Sequence, residues 1–350
     1  MGYKALVCSD WMSHMDAYPN PEFKFFPQEN IDKIESLFEV DWNRTGAKLS
    51  KEELIERIKD CDVVFTSWGS NVFDEEVLKH APKLKLLAHF AGSVAHHVTP
   101  ELYDRGIKVI SGNDGHFAES VAEAALLYTI MGLRRIKRSI LLMEHEKGEG
   151  WYKNAYDTKK GLFDRTVGLV GYGAVTKHFV KLLQPFRCKL KVYNYQPIPQ
   201  EELKKYHMEQ VSIEEVFKTC DVVSVHLAWN PQTEHMVSKS LIQSMKDGAL
   251  LVNTARGMVI DEEALAEEVK TGRIWAVLDV VSQEPLPSDS VLYDLEDVTI
   301  IPHEGGPTRD RLKFIVSDLI DDAYNYLSYG TPLQYEIPKE RGLAMSAPRK

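Results

Sequence analysis

The sequence predicts an α/β fold made of two doubly wound lobes, each with a parallel β-sheet covered by helices on both faces. Short apolar runs alternate with amphipathic stretches from Ala5 to Ile110, and the same alternation starts again at Thr166. This βαβ rhythm is typical of parallel sheets. The chain has 350 residues, and because single cores stop growing at roughly 250–300 residues, two lobes are expected.

In the first series the short apolar runs predict strands and the amphipathic stretches between them predict helices. The strands are expected at Ala5–Cys8, Phe38–Val40, Val63–Thr66, Leu84–Ala88 and Lys108–Ile110. The helices are expected at Ile31–Leu37, Lys51–Ile58 and Asp74–Lys79. One long connecting helix is predicted from Ala118 to about Met143, because this stretch lacks Pro and its apolar residues recur at helical spacing. A loop is predicted at Gly148–Lys160.

The second series begins with a strand at Val167–Val170, a helix at Lys177–Leu183 and a strand at Leu190–Tyr193. The alternation continues through Ile213–Phe217, Val222–His226, Lys239–Met245, Leu250–Asn253, Glu262–Thr271 and Ile274–Asp279. A last strand is expected at Val298–Ile301, followed by a helix from Arg309 to about Tyr329.

Composition excludes several classes of partner. The formal net charge of -10 argues against nucleic acid and against an anionic membrane surface. No membrane span and no secretory signal are expected, because no long apolar run is present. The four cysteines form neither a C-x-x-C pair nor a zinc-binding cluster, so we expect buried thiols, no metal and a cytoplasmic location. They are Cys8, Cys61, Cys188 and Cys220.

A glycine turn provides the first chemical signal. Gly171 and Gly173 follow a predicted strand and open a predicted helix that starts with Ala174 and Val175. In the G-x-G-x-x-G fingerprint the first glycine permits the tight turn, and the second lets the backbone approach a pyrophosphate at the helix N-terminus. Thr176 stands in place of the third glycine, so the fingerprint is imperfect.

The end of the second strand of this lobe bears on the choice of cofactor. A Rossmann lobe usually has Asp or Glu there to bind the ribose hydroxyls, whereas this chain has Asn194. Asn can still accept a bond from a ribose hydroxyl, but it does not repel a 2′-phosphate. No Arg follows to clamp such a phosphate. The pattern therefore favours NAD and leaves NADP open.

Three groups of complementary chemistry each follow a predicted strand of the second series. They are Arg256, Glu284 and His303. The carboxyl ends of parallel strands share one edge, where ligands bind. Arg would hold a substrate carboxylate and polarise its carbonyl, His would exchange the hydroxyl proton, and Glu would orient the imidazole. The set predicts reversible hydride transfer at a small 2-hydroxy or 2-oxo acid.

Three runs of sequence resemble the D-isomer specific 2-hydroxyacid dehydrogenase family. They are Val167-Gly168-Leu169-Val170-Gly171-Tyr172-Gly173, Leu251-Val252-Asn253-Thr254-Ala255-Arg256-Gly257 and Pro302-His303-Glu304-Gly305-Gly306. The resemblance implies a Rossmann cofactor domain, residues 113–304, inserted into a flavodoxin-like substrate domain, residues 1–112 and 305–350. It also implies a homodimer whose cofactor lobes form the interface.

The resemblance implies roles for further residues. Arg256, Glu284 and His303 would be catalytic. Asp279 would lie near the nicotinamide carboxamide, with Gly305 also on the cofactor side. Thr254 and Ala255 would approach the nicotinamide ribose, and the adenosine side would be lined by His226, Leu227, Ala228 and Thr233.

The substrate loop departs from the family pattern. The family commonly has Arg-Ala-Gly-Val-Gly-Val-Asp there, but this chain has His89-Phe90-Ala91-Gly92-Ser93-Val94-Ala95 followed by His96 and His97. Gly92 and Ser93 fall where backbone N–H groups should bind the substrate carboxylate, and Trp68-Gly69 would wall the pocket. The extra histidines either bind further groups of a larger substrate or form a cluster with no ligand.

Proteins with two other functions share this fold. Formate dehydrogenases pair the catalytic His with Gln, so Glu284 argues against that activity. A non-catalytic, NAD-sensing corepressor-like protein is the alternative from a different functional class. The chain has no basic patch and keeps all three catalytic residue types, which favours the enzyme.

Overall fold

The computed structural model describes residues 2–9, 26–153 and 159–345. Its strands are β1 (Tyr3–Val7), β2 (Phe38–Trp42), β3 (Val63–Thr66), β4 (Leu86–His89), β5 (Lys108–Ser111), β6 (Thr166–Val170), β7 (Lys189–Tyr193), β8 (Met208–Gln210), β9 (Val222–Val225), β10 (Leu250–Asn253), β11 (Trp275–Leu278) and β12 (Val298–Ile300). Its helices are α1 (Gln28–Leu37), α2 (Lys51–Ile58), α3 (Glu75–Lys79), α4 (Pro100–Asp104), α5 (His116–Leu133), α6 (Ile136–Lys153), α7 (Ala174–Leu183), α8 (Gln200–Lys205), α9 (Ile213–Thr219), α10 (Lys239–Ser244), α11 (Glu262–Lys270), α12 (Arg309–Tyr329) and α13 (Lys339–Ala344).

The chain divides into two compact units. Unit 1 comprises Met1–Ala118 and Pro307–Lys350, and unit 2 comprises Glu119–Gly306. The sheet of unit 1 has the order β2-β1-β3-β4-β5, and all its pairs are parallel. Strands β3 and β4 are buried along their whole length, because apolar clusters cover the sheet on both sides. One cluster draws residues from α1 and α12, and the other from α2, α3 and α4.

Unit 2 has a sheet of seven parallel strands in the order β12-β11-β10-β9-β6-β7-β8. The strand order reverses between β6 and β9, and such a reversal opens a crevice at the carboxyl ends of the strands, where ligands bind in folds of this type. Helices α5 and α7 pack into the cluster on one side, and α9, α10 and α11 into the other. The predicted fold class, two doubly wound parallel-sheet lobes, is confirmed.

The prediction of one long helix from Ala118 to Met143 is wrong. The segment forms α5 and α6, which are separated at Arg135, a residue with a left-handed backbone (φ 51°). Tertiary contacts hold this break. The Arg135 guanidinium lies 4.7 Å from the centre of the Trp275 ring and pairs with Asp297, and the carbonyl of Leu133 accepts a hydrogen bond from the N–H of Lys160 (2.9 Å).

Four short elements lack a clear sequence signal, namely α4, α8, β8 and α13. The edge strand β8 shows why, since Met208 is its one buried residue and no apolar alternation results. Helix α6 is interrupted at Lys147 (φ 48°), one residue before the predicted loop Gly148–Lys160, but helical backbone resumes after this kink and ends at Lys153. The rest of that loop lies mostly outside the described residues. No helix within the described ranges is both long enough and apolar enough to cross a membrane.

Candidate active site

The glycine turn lies at the reversal of strand order in unit 2. Gly171 has a left-handed backbone (φ 102°), and a Cβ there would lie 3.1 Å from the carbonyl oxygen of His226. Gly173 is the N-cap of α7, makes no side-chain cap and would present a Cβ to open space. The backbone N–H groups at the start of α7, where Ala174 and Val175 lie, therefore border open space, an arrangement suited to an anion.

Thr176, the departure from the fingerprint, is accommodated. Its side chain is fully buried, and its hydroxyl donates a hydrogen bond to the carbonyl of Gly171 (2.9 Å). A glycine would allow closer packing of helix and strand, whereas threonine fills the space and ties the helix to the turn. The residue that makes the fingerprint imperfect thus stabilises the turn.

Asn194 also supports the turn. Its Oδ1 accepts a hydrogen bond from the N–H of Tyr172 (3.1 Å), and its Nδ2 donates to the carbonyl of Gln196 (2.9 Å). The side chain of Gln210 donates to the carbonyls of Asn194 and Gln196 (3.2 and 3.1 Å). The loop after β7 is therefore held by amides, and the position usually taken by an acid is neutral.

The residues assigned to the adenosine side follow β9, the strand next to β6. His226 shares a 3.0 Å hydrogen bond with the Ser224 hydroxyl, and burial lowers the pKa of its imidazole to about 4. The next turn is closed by Thr233, whose hydroxyl donates to the carbonyl of Ala228 (2.8 Å). Leu227 packs against the core. The site is thus lined by uncharged groups on this side.

Thr254 and Ala255 follow β10. Ala255 donates its N–H to Asn253 Oδ1 (3.0 Å), which fixes the turn. The Thr254 side chain is buried, yet its hydroxyl has no hydrogen-bond partner among the described residues. A buried polar group without a partner is costly, and a ribose hydroxyl would supply one. This hydroxyl and the open N-terminus of α7 fit a bound dinucleotide.

Two of the three predicted catalytic residues form a hydrogen-bonded pair, and the charge of the third, Arg256, acts on the carboxylate of that pair. His303 Nδ1 lies 2.7 Å from Glu284 Oε2, and both side chains are solvent-exposed. Burial alone would raise the pKa of the Glu284 carboxyl, but the His303 hydrogen bond and the charges of His303 and Arg256 hold that pKa below its usual value. Arg256 is half-buried, and burial lowers the pKa of its guanidinium, partly offset by Glu284. The carboxylate is therefore ionised at neutral pH, is hydrogen-bonded to His303 and interacts with the charge of Arg256.

Gly257 explains how Arg256 and Glu284 come close. An added Cβ at Gly257 would lie 1.9 Å from the backbone carbon of Val281 and 2.3 Å from the nitrogen of Ser282. The loops after β10 and β11 therefore pack backbone against backbone, which only glycine permits. Glu284 lies two residues beyond this contact.

Asp279 holds the loop that carries His303. Its buried carboxylate accepts hydrogen bonds from the N–H groups of Glu304 and Gly305 (both 2.9 Å) and from the hydroxyl of Tyr128 (3.1 Å). A Cβ at Gly305 would lie 2.6 Å from Asp279 Oδ2. Burial raises the pKa of Asp279, although these donors and the His303 charge oppose the rise. His303 itself adopts a left-handed backbone (φ 54°).

The predicted substrate residues lie at the carboxyl edge of the unit 1 sheet. Trp68 and Gly69 follow β3; Trp68 is 42% exposed, and Gly69 has a φ of 81°. Gly92 and Ser93 follow β4, and a Cβ at Gly92 would lie 3.1 Å from the Phe117 ring. The next residue, Val94, donates its N–H to Met345 Sδ (3.5 Å), so this donor is already engaged.

The extra histidines differ from one another in environment. His96 is exposed, but His89 and His97 are buried with ring centres 4.5 Å apart. Nδ1 of His97 donates to the carbonyl of Asn71 (3.0 Å), and His89 Nδ1 shares a 3.0 Å bond with the Thr66 hydroxyl. Burial lowers both imidazole pKa values, that of His97 to about 4. Both rings are neutral at pH 7, so the geometry favours packing over anion binding for this pair.

Sequence reasoning did not assign roles to Tyr128, Gly257 or Glu262. Tyr128 resembled a core residue on the apolar face of its helix, and nothing in its spacing indicated a bond to Asp279. Gly257 ends the run from Leu251 that resembles the family, and its place next to Arg256 is its only signal in the sequence. Glu262 resembled an ordinary acidic residue in the first turn of a helix, but its carboxylate binds Ser282.

Comparisons with known proteins place the chain among dehydrogenases and reductases of 2-hydroxy acids. A family model, "D-isomer specific 2-hydroxyacid dehydrogenase, NAD binding domain", matches residues 126–305. The chain is 33% identical over 301 residues to a glyoxylate reductase of Korarchaeum cryptofilum, covering 83% of this chain and 88% of the relative. It is 32% identical over 287 residues to a hydroxypyruvate reductase of Thermotoga maritima, covering 81% and 90%. The fold resembles apo D-mandelate dehydrogenase of Rhodotorula graminis, with a TM-score of 0.83, 24% identity and 99% of each chain covered.

Proposed function

Because this chain belongs to the D-isomer specific 2-hydroxyacid dehydrogenase family, we propose that Arg256, Glu284 and His303 carry its reaction on a small 2-hydroxy or 2-oxo acid. When bound, the nicotinamide cofactor supplies or accepts the hydride at C2 of the acid. The observation that carries the proposal is the 2.7 Å bond between His303 Nδ1 and Glu284 Oε2, with Arg256 close enough for its charge to act on that carboxylate.

In the proposed mechanism His303 exchanges a proton with the substrate oxygen. Its Nδ1 is engaged by Glu284, so Nε2 is the ring nitrogen that gives the proton in reduction and takes it in oxidation. The ionised Glu284 orients the imidazole and stabilises its cationic form. Arg256 holds the substrate carboxylate and polarises the carbonyl, where negative charge develops during reduction.

We further propose that unit 2 binds the dinucleotide along the residues predicted from the sequence. The pyrophosphate would lie over the turn formed by Gly171, Gly173, Ala174 and Val175. Asn194 would face the adenosine ribose, and the adenosine side would be lined by His226, Leu227, Ala228 and Thr233. Thr254, Ala255, Asp279 and Gly305 would lie on the nicotinamide side. NAD is favoured over NADP, because no Arg follows Asn194 to clamp a 2′-phosphate.

The substrate domain, residues 1–112 and 305–350, is proposed to bind the acid, and residues 113–304 the cofactor. Within this domain, Gly92 and Ser93 would offer backbone N–H groups to the substrate carboxylate, and Trp68 and Gly69 would wall the pocket. Glyoxylate and hydroxypyruvate are the first candidates, since relatives carry the names of their reductases.

A substrate screen with a single variant tests the proposal. Oxidation of NADH and NADPH is measured across 2-oxo acids from glyoxylate to sugar-acid size, for the natural chain and for His303→Ala. We expect turnover of at least one acid, lowered roughly 100-fold or more by the substitution, with NADH still bound. Unchanged turnover in the variant would remove His303 from the mechanism. Background turnover throughout, with NADH bound, would favour the NAD-sensing alternative.

Two properties of the whole protein are also proposed. We infer a homodimer, and the exposed apolar side chains on α5 and α6 support it; they are Leu127, Ile136, Ile140 and Met143. We infer a cytoplasmic location, supported by the four cysteines, all of which are free thiols.

A further inference from the structure

We propose that Glu262 is a positioning residue for the reaction, because it clamps the loop from which Glu284 orients His303. The inference rests on the proposed function, which gives Glu284 and His303 their roles. Glu262 makes no hydrogen bond to either of them, and its direct interaction with Glu284 is a repulsion between like charges. A supporting effect on Glu284 would therefore pass through the loop between Val281 and Glu284.

The clamp is a carboxylate that binds both donors of one residue. Glu262 is the first residue of α11, directly after the N-cap Asp261. One of its oxygens accepts a 2.7 Å hydrogen bond from the Ser282 hydroxyl, and the other accepts from the Ser282 N–H. Val281 N–H, one residue earlier, faces Glu284 Oε1 at 3.4 Å. Ser282 is thus fixed in both backbone and side chain, two residues before Glu284.

The same loop also packs against Gly257, whose missing side chain admits the backbone of Val281 and Ser282. The segment from Arg256 to Glu262 therefore carries the guanidinium proposed to bind substrate at one end and the clamp at the other. This arrangement links the placement of Arg256 to the placement of Glu284. Charged side chains that are held by such supporting bonds keep the narrow geometry that catalysis needs.

The partial burial of the Glu262 carboxylate indicates that its contact with Ser282 is specific. The Glu262 carboxylate is half-buried, and burial raises its pKa although the Ser282 bonds oppose the rise. The neighbouring Glu263 is exposed. An exposed acid in the first turn would interact with the helix dipole just as favourably as a buried one. The dipole therefore does not explain why Glu262 is partly buried.

A double-mutant comparison tests the inference. Glu262→Ala, Glu262→Gln and the matched control Glu263→Ala are made in the natural chain, and Glu262→Ala is also made in a Glu284→Ala background. kcat and KM are measured with the best 2-oxo acid, per NADH-binding site counted by fluorescence titration. We expect Glu262→Ala to lower kcat roughly 10- to 100-fold and to leave the Kd for NADH unchanged.

The glutamine variant should retain most of the activity, because its amide can accept from the Ser282 N–H and donate to the hydroxyl. Glu263→Ala should behave as the natural chain. In the Glu284→Ala background the further loss from Glu262→Ala should be less than about twofold, since residues that act as one unit are not additive. A merely structural role would give the same loss in both backgrounds.

The outcomes separate this inference from the proposed function. Equal losses from Glu262→Ala in both backgrounds, or no loss in the natural chain, would overturn the positioning role. Normal turnover in His303→Ala and Glu284→Ala would instead overturn the proposed function. If Glu262→Ala does not bind NADH, Ser282→Ala is measured in the two backgrounds. A loss confined to the background that keeps Glu284 supports the clamp, and any other pattern contradicts it.

Discussion

Arg256 is proposed to act both in binding the acid and in stabilising the charge that develops on its oxygen. We expect Arg256→Ala to raise the KM for the 2-oxo acid and to lower kcat, because the guanidinium would serve ground and transition states alike. Arg256→Lys should restore little, since an ammonium lacks the planar pair of donors that matches a carboxylate. Steady-state kinetics measure both effects. An unchanged KM in Arg256→Ala would assign the carboxylate to Gly92 and Ser93.

The buried imidazole of His97 makes stability depend on pH. Its pKa is about 4 in the folded chain and about 6.5 when unfolded, so the unfolded chain binds more protons between these values. The free energy of unfolding should therefore fall as pH drops from about 6.5 to about 4, at no more than roughly 1.4 kcal/mol per pH unit for this group.

His97→Asn should flatten that slope by the equivalent of one proton, because asparagine has no charge to acquire. Urea unfolding at several pH values between 4 and 7 measures the slope for the two chains. The exposed His96 provides the control, and His96→Asn should leave the slope unchanged. Equal slopes for the natural chain and His97→Asn would mean that His97 takes up a proton as readily when folded as when unfolded.

At the scale of elements, two loops meet where Gly257 faces Val281. We expect Gly257→Ala to destabilise the protein by about 1–3 kcal/mol, as overpacking does, because its Cβ would lie 1.9 Å from a backbone carbon. Turnover should fall by more than the loss of folded protein accounts for, since the displaced loop carries Glu284. Gly161→Ala is the control, because a Cβ at Gly161 meets nothing within 4 Å. Thermal unfolding and turnover report both effects, and an active, stable Gly257→Ala would refute the close approach.

The break between α5 and α6 shows how contacts between elements override a local pattern. Gly132 lies against β10 and β11, and a Cβ there would be 2.7 Å from Leu250 and 2.9 Å from Val277. Three residues later Arg135 leaves the helical conformation and packs on Trp275. Helical spacing alone could not indicate this break, because Leu250, Trp275 and Val277, which pack against it, lie more than one hundred positions further along the chain.

For the whole molecule, the apolar stripe on α5 and α6 predicts association. Ile136, Ile140 and Met143 recur at the spacing of one helix face, and Ile140 is 51% exposed. We expect Ile140→Asp to convert a dimer into a monomer, because an ionised carboxylate opposes burial in an apolar interface. Light scattering after size-exclusion chromatography gives the mass. Leu182→Asp, at an exposed apolar position of α7, should leave the mass unchanged, and a monomeric natural chain would contradict the prediction.

The sequence by itself determined the fold class and the residue types of the site. Each strand and each helix is indicated by residues that are close together in the sequence, so the βαβ order can be predicted from local patterns. The turn at Gly171 and the residues after β10, β11 and β12 could be placed on one sheet edge, because parallel strands end on the same side. Arg256, Glu284 and His303 were found in this way, and the bond between His303 and Glu284 agrees with the expectation.

Only the tertiary structure decided how those groups are supported. The Thr176 hydroxyl donates a hydrogen bond to Gly171, Asn194 accepts one from Tyr172, and Asp279 accepts one from the loop that carries His303. The buried pair His89 and His97 is neutral, and the carboxylate of Glu262 is directed to Ser282. Each contact joins residues whose separation in space is set by the packing of the whole sheet. Burial and hydrogen bonding depend on that separation in space, and a local pattern of residue types does not indicate it.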